Sequence, residues 1–410
     1  MVGLRVAICT TIHSLPTRAK HDDPRRRSSA CQVFSTFCET SELDSSLYRV
    51  DWIRQLVTLM DDPQVEVHTA AFQALDAFIK SIPKEEVEPL VIPLRRTIES
   101  TGAPGVYVPG FSLPKGVSPI VPVIIGGLTS GSNDQREQAA YAIGDLVERT
   151  EENAMKPFVV PFTGPLIRVA TQATTHPPAV KIAILTALST MLERIPIFVK
   201  PFFPQLQRTF VKGVGDPASL AVRTKAAQAL GVLMRNQPRV DPVITELIGG
   251  ARNNEDPIAG SFVLALANVV QNGGPNVGEK AKESCVELIS DAFKERHEGK
   301  TGGDAVHPRT LSHSHAEPYC QSVGVLFVSL SPAPQLLKPV AQYVVVGSCP
   351  CVTHAKLQVI LGWRNARNGL GFKHNFCRPL RRRSGAEWPL PRNGSLARCR
   401  KEGPGKRRER

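Results

Sequence analysis

Two clusters carry the side-chain types of metal sites: His313 and His315 with Cys320, and Cys349 and Cys351 with His354. A zinc site takes about four such ligands in well-spaced pairs, so we read both clusters as incidental and expect no metal. The run GGPNVGEK (273–280) has glycines suited to cradling a phosphate. A phosphate loop needs G-x-x-x-x-G-K-S/T, however, and here the spacing differs and Ala281 follows Lys280. Neither H-E-x-x-H nor G-x-S-x-G occurs. Glu85, Glu86 and Glu88 cluster where a helix should begin, a place that suits negative charge, and nothing pairs them as acid and base. The expectation is a non-enzymatic chain with no catalytic residue and no cofactor.

A different constellation is periodic. Arg136, Lys181 and Arg223 each stand six residues before an alanine that anchors an apolar stripe. The stripes are Val67, Ala70, Ala71, Ala74, Leu75, Phe78; then Val180, Ala183, Ile184, Ala187, Leu188, Met191; and Val222, Lys225, Ala226, Ala229, Leu230, Leu233. Two looser copies start at Gln135 and Ile258, and of the 30 stripe positions 26 are apolar. Spacing of i, i+3, i+4, i+7, i+8 and i+11 is one face of an α-helix. The anchors Ala142, Ala187, Ala229 and Ala265 are 45, 42 and 36 residues apart. That interval brackets the period of a two-helix HEAT or armadillo unit.

Each stripe follows a second apolar segment, at 50–60, 118–130, 157–170, 200–212 and 240–251. Asp62-Pro63, Asp216-Pro217 and Asp256-Pro257 mark the turns between, read as N-cap aspartates followed by helix-starting prolines. Pro177-Pro178 takes that place in a further copy without the aspartate. Ala74 precedes Ala142 by 68 residues, an excess assigned to a Gly/Pro-rich loop at 100–115. A helix pair cannot bury its apolar face alone, so the expected fold is an all-α solenoid of stacked antiparallel pairs. Stacking would align Arg136, Lys181 and Arg223 along one edge, either as a ladder to turn aspartates such as Asp216 or as a surface that binds a partner.

The formal charge of the 410 residues is +13, yet residues 361–410 hold 15 basic and 3 acidic side chains while residues 31–360 hold 29 and 32. The body is nearly neutral and the basicity belongs to the ends. A tail rich in Arg, Gly and Pro is expected to be disordered and to contact RNA through residues 361–410 by counterion release. No cysteine lies between 39 and 284, which no disulfide-stapled secreted scaffold would show. No apolar run reaches the roughly 20 residues of a membrane span, and the opening segment is a poor signal peptide. A cytoplasmic chain with no membrane contact is expected. Its segments are an unmatched leader at 1–30, the solenoid at 31–300, a loop with a degenerate repeat at 301–346, and a basic tail at 347–410.

Several phrases have no periodic reason to recur: PGFSLPKG, PFTGPLIRV, KPFFPQLQRTFVKGVGDP and VDPVITELIGGARNNEDP. With VRTKAAQALGVL they resemble the general control non-derepressible translational activator family, from about residue 31 to 293 and more loosely over 319–345. The resemblance implies a HEAT scaffold that rides on ribosomes and docks the RWD domain of the initiation-factor-two α-subunit kinase during amino-acid starvation. The region resembled is the carboxy-terminal kinase-docking part. On the family pattern the arginine of V-R-x-K-A-A falls on Arg223, with Lys225 a turn away. Arg223, Lys225, Arg136 and Lys181 are therefore the expected partner-binding residues. Two other readings stay open: the HEAT portion of an ATP-binding-cassette elongation factor, and a generic transport or chromosome scaffold.

Overall fold

The computed structural model describes residues 21–298, apart from 41–45, 104, 173–175 and 256. The segments 301–346 and 347–410, both metal-like clusters and the basic tail lie outside the described residues.

Thirteen helices longer than two turns follow one another, with no strand among the described residues. They are α1 Pro24–Thr40, α2 Arg49–Leu59, α3 Val65–Ser81, α4 Val91–Ser100, α5 Val121–Thr129, α6 Asn133–Arg149, α7 Val159–Thr171, α8 Pro178–Arg194, α9 Phe203–Val214, α10 Leu220–Arg235, α11 Asp241–Asn253, α12 Ile258–Gly273 and α13 Glu279–Glu298. Helix α1 begins before the boundary expected at residue 31. No single described helix is long and apolar enough to cross a membrane.

The five stripes become α3, α6, α8, α10 and α12, and each packs on the first helix of its own pair. Helix α6 packs on α8, α8 on α10 and α10 on α12, giving a continuous row of second helices. The stripe alanines are buried throughout, including Ala71, Ala74, Ala142, Ala187, Ala229 and Ala265. Small side chains let the neighbouring backbones approach closely, and the larger Leu, Ile and Phe of both helices fill the space beside them. Where α1, α2 and α3 meet, Phe34, Trp52 and Phe78 stand edge-on or tilted, with centroids 5.0–5.9 Å apart.

Asp62 and Asp216 act one turn earlier than expected, and Asp256 lies outside the described residues. Helix α10 starts at Leu220, and its N-cap is Ser219, whose hydroxyl accepts from the Val222 amide. Asp216 closes the preceding turn instead, its carboxylate accepting the Ala218 and Ser219 amides at 2.9 and 3.0 Å. Asp62 likewise accepts the Gln64 amide, and α3 begins at Val65. A carboxylate bonds backbone two residues on as readily as it caps a helix, so the Asp-Pro phrase marks the turn rather than the cap. Helix α6 has a full capping box between Ser132 and Gln135, which explains the polar residue at the start of that stripe.

The long interval between Ala74 and Ala142 contains more than a loop. Helix α4 fills part of it and packs on both α2 and α6. No second helix follows α4 before α5. Residues 101–103 and 105–117 run as turns and bends, with Val108, Phe111 and Val117 fully buried. The Val108 amide donates to the Arg149 carbonyl at 2.8 Å and the Gly110 amide to Met60 at 2.8 Å. This segment thus takes the place of a missing second helix, and α3 packs on the turn Ser118–Ile120 beyond it. Across the seam Arg95 of α4 pairs with Asp145 of α6 at 3.2 Å, and Arg149 donates to the Thr101 and Glu99 carbonyls at the end of α4.

Backbone crosses backbone closely inside this segment. A Cβ on Gly116 would collide with the Gly110 carbonyl and crowd the Phe111 carbonyl at 2.8 Å. Gly116→Ala is expected to destabilise the array by about 1–3 kcal/mol, the cost of overpacking against groups that cannot retreat. Chemical unfolding followed by circular dichroism measures it, and an unchanged midpoint would refute the close packing.

Candidate partner-binding edge

The edge where the turns meet the second helices is built from charge. Lys181, on α8, reaches into the next pair and holds Asp216 at 2.6 Å, with the two side chains 13% and 7% exposed. The Asp216 carbonyl accepts Nη1 of Arg223 at 2.8 Å, and Nε of the same guanidinium donates to Ser261 Oγ on α12 at 2.9 Å. One polar chain therefore links α8, the turn before α10, α10 itself and α12. Burial alone would raise the Asp216 carboxyl, but the Lys181 ammonium and the Ala218 and Ser219 amides hold it below the usual carboxylate range.

The same unit recurs at the first described pairs. Arg27 of α1 forks onto Asp62 at 2.8 and 3.1 Å, and His68 Nδ1 donates to the Asp62 carbonyl at 2.9 Å. His68 stands six residues before Ala74, the register position of Arg136, Lys181 and Arg223. That signal was present in the sequence, although the column as read from its cations omitted it. Arg27 and Ser261 were also missed. Ser261 occupies an apolar stripe position because its hydroxyl satisfies a buried guanidinium.

Arg136 breaks the pattern. Its Nε and Nη2 donate to the Leu128 and Thr129 carbonyls at the end of α5, at 3.3 and 3.0 Å. The turn ahead of α8 has His176-Pro177 where three of the others have Asp-Pro. Burial, and then the charges of Arg136 and Lys181, lower the pKa of His176. Three basic side chains thus converge on this step of the edge.

The four expected partner-binding residues differ in what they can offer. Arg223 is 4% exposed and committed to Ser261 and Asp216. Lys181 is committed to Asp216, and Arg136 to two carbonyls. Lys225 is half-buried on the same helix as Arg223. Arg223 consequently acts on anything outside the fold through the turn that it holds. Cys31, Cys38 and Cys285 are buried, and burial pushes each thiol up to about 12, far from the thiolate a nucleophile requires.

Comparison with known proteins agrees with the helical reading. Residues 3–115 match the family model for stalled ribosome sensor GCN1-like HEAT repeats. The eIF-2-alpha kinase activator GCN1 of Saccharomyces cerevisiae is 37% identical over 273 residues, covering 66% of this chain and 10% of that protein. The stalled ribosome sensor GCN1 of Homo sapiens is 36% identical over 267 residues, covering 64% of this chain and 10% of that protein. The chain spans about a tenth of the length of these curated relatives. A solved importin beta chain superposes with a TM-score of 0.45 at 14% identity, over 85% of this chain and 48% of that chain.

The ion pair at Asp216 gives a pH-dependent expectation. A carboxyl held below its unfolded value contributes stability that is present above about pH 4 and is lost as pH falls through the folded value. Lys181→Met should cost about 2–3 kcal/mol at pH 7, because it leaves a buried carboxylate without its cation. The difference from the unsubstituted chain should shrink towards pH 3. Denaturant unfolding at a series of pH values checks this, and a penalty independent of pH would show that the pair is not what stabilises the turn.

Proposed function

We propose that this chain, a homologue of the GCN1 HEAT-repeat proteins over about two thirds of its length, is a non-enzymatic translational-control scaffold. It binds the RWD domain of the eIF-2-alpha kinase and promotes activation of that kinase on ribosomes in amino-acid starvation, in the cytoplasm. The observation that carries the reading is the 37% identity to a kinase activator over 273 residues. Residues 3–115 also match a HEAT-repeat family model, which supports reading the likeness as one of a binding surface.

Within this reading the docking edge is the run of turns and second-helix starts from α6 to α12. Lys225, with Arg136 and Lys181 at the His176 step, supplies its positive groups. Arg223 is a positioning residue there, since its guanidinium holds the Asp216 turn and reaches Ser261 instead of solvent. An edge of this kind suits a folded domain with a complementary acidic face. Contact with RNA through residues 361–410 is a separate proposal that rests on their +12 charge, from 15 basic and 3 acidic side chains.

The test is calorimetric titration of the full chain with the purified RWD domain, alongside co-sedimentation with ribosomes. Lys225→Glu should weaken RWD binding about tenfold or more while leaving the melting transition unchanged, the pattern of a rim charge in an electrostatically matched contact. Arg223→Ala should weaken binding and lower the melting temperature together. An unsubstituted chain that fails to bind the RWD domain would overturn the reading.

A further inference from the structure

A groove of about 450 Å³ lies between α2 and α4, on first helices of the array and away from the edge described above. Its apolar lining is Val50, Pro89, Ile92 and Pro93, and two guanidinium groups, Arg54 and Arg96, stand in its wall. Val50 is 41% exposed although it is a large hydrophobic side chain. Core packing does not account for it, because α4 turns Val91, Leu94, Thr97 and Ile98 inward and leaves Ile92 and Pro93 half-covered.

The charge of the groove is one-sided. The lining itself holds no carboxylate; nearby, Glu99 is held by Arg95 at 2.8 Å, Glu86 by Arg49 at 2.5 Å, Glu88 lies against Gly126 of α5, and Glu85 is exposed outside the lining. Arg96 is exposed and makes no ion pair among the described residues. Arg54 meets only Asp51 at 3.3 Å, with both side chains 60% exposed, a geometry that contributes little. Pro89 and Pro93 stiffen the backbone beneath, so the lining is preformed and a ligand need not order it.

We propose that this groove binds a short acidic peptide segment of a partner protein. One apolar side chain of that segment seats on Val50, Ile92 and the two prolines, and carboxylates on either side pair with Arg54 and Arg96. A guanidinium takes a carboxylate with two parallel N–H···O bonds, which fixes the peptide's direction as well as its charge. Nucleic acid fits less well. Two cations on a body whose residues 31–360 carry 29 basic and 32 acidic side chains release too few counterions to hold a phosphate backbone. This proposal does not depend on kinase docking.

Fluorescence anisotropy of the full chain tests it with three labelled probes: a decapeptide of glutamates with two leucines, the same peptide with lysine in place of glutamate, and decauridylate. The acidic peptide should bind and the lysine peptide should not. Arg54→Glu with Arg96→Glu should weaken the acidic peptide at least tenfold, and Ile92→Asp should do so without altering either arginine. Arg239→Glu, an exposed charge reversal on another part of the array, should leave binding within twofold. Melting curves identify any variant that has lost its fold, and the two exposed arginines keep the double reversal readable if Ile92→Asp does not fold. Equal affinity of the unsubstituted chain and the double reversal would overturn the proposal and assign the peptide to the basic tail. Loss of decauridylate, rather than peptide, on the double reversal would assign the groove to RNA.

Discussion

Close approach of neighbouring helices is the constraint on which the rest of this structure depends. A second helix in the row packs against at least one neighbouring helix of that row as well as its own first helix, so its central positions have room for little more than a methyl group. Alanine fills them at 74, 142, 187, 229 and 265, and each of these is at most 1% exposed. Glycine appears where even a methyl group is too large. A Cβ on Gly250 would run into the Phe262 ring, and one on Gly213 would lie 2.9 Å from the Ala226 Cβ. The charged edge follows from the same spacing. Only because α8, α10 and α12 sit so near one another can Lys181 reach the next turn and Arg223 reach the helix beyond.

Apolar periodicity was easy to read because it is local: six positions within one helix suffice to show a face. Helix identity, the order of pairs and the register of the basic column all followed from it. Polar partners were harder, since Lys181 and Asp216 are 35 residues apart and Arg223 and Ser261 are 38 apart. Nothing in either local sequence names the other. Ser261 interrupts its stripe because its hydroxyl accepts from a guanidinium on another helix. The Asp-Pro phrases identified the correct turns and the wrong atoms, because a carboxylate bonds the backbone of a turn as well as that of a helix start.

The interval before Ala142 was opaque for another reason. Helix α4 is short and its partner helix is absent, so no second stripe announces a pair. Its burial depends on α2 and α6, and its polar partners include the Asp145 carboxylate and the Arg149 guanidinium, some 50 residues downstream. A segment such as 101–117, whose Val108, Phe111 and Val117 are buried without helical spacing, can be recognised as part of the core only once its neighbours are in place. The groove between α2 and α4 was unreadable on the same grounds, since its two walls are separate helices.

The polar chains also bear on how the array flexes. Bending a stack of helix pairs means sliding each pair slightly over the next, and the side chains that cross a boundary act as stays against that shear. Arg27 on Asp62 stays one boundary, and Lys181 on Asp216, with Arg223 on Ser261, stays two more in succession. Between α6 and α8 the corresponding position is His176, and Arg136 is turned back on its own pair. These polar stays are thus unevenly distributed along the row, present from α8 to α12 and replaced between α6 and α8 by three basic side chains and apolar packing alone.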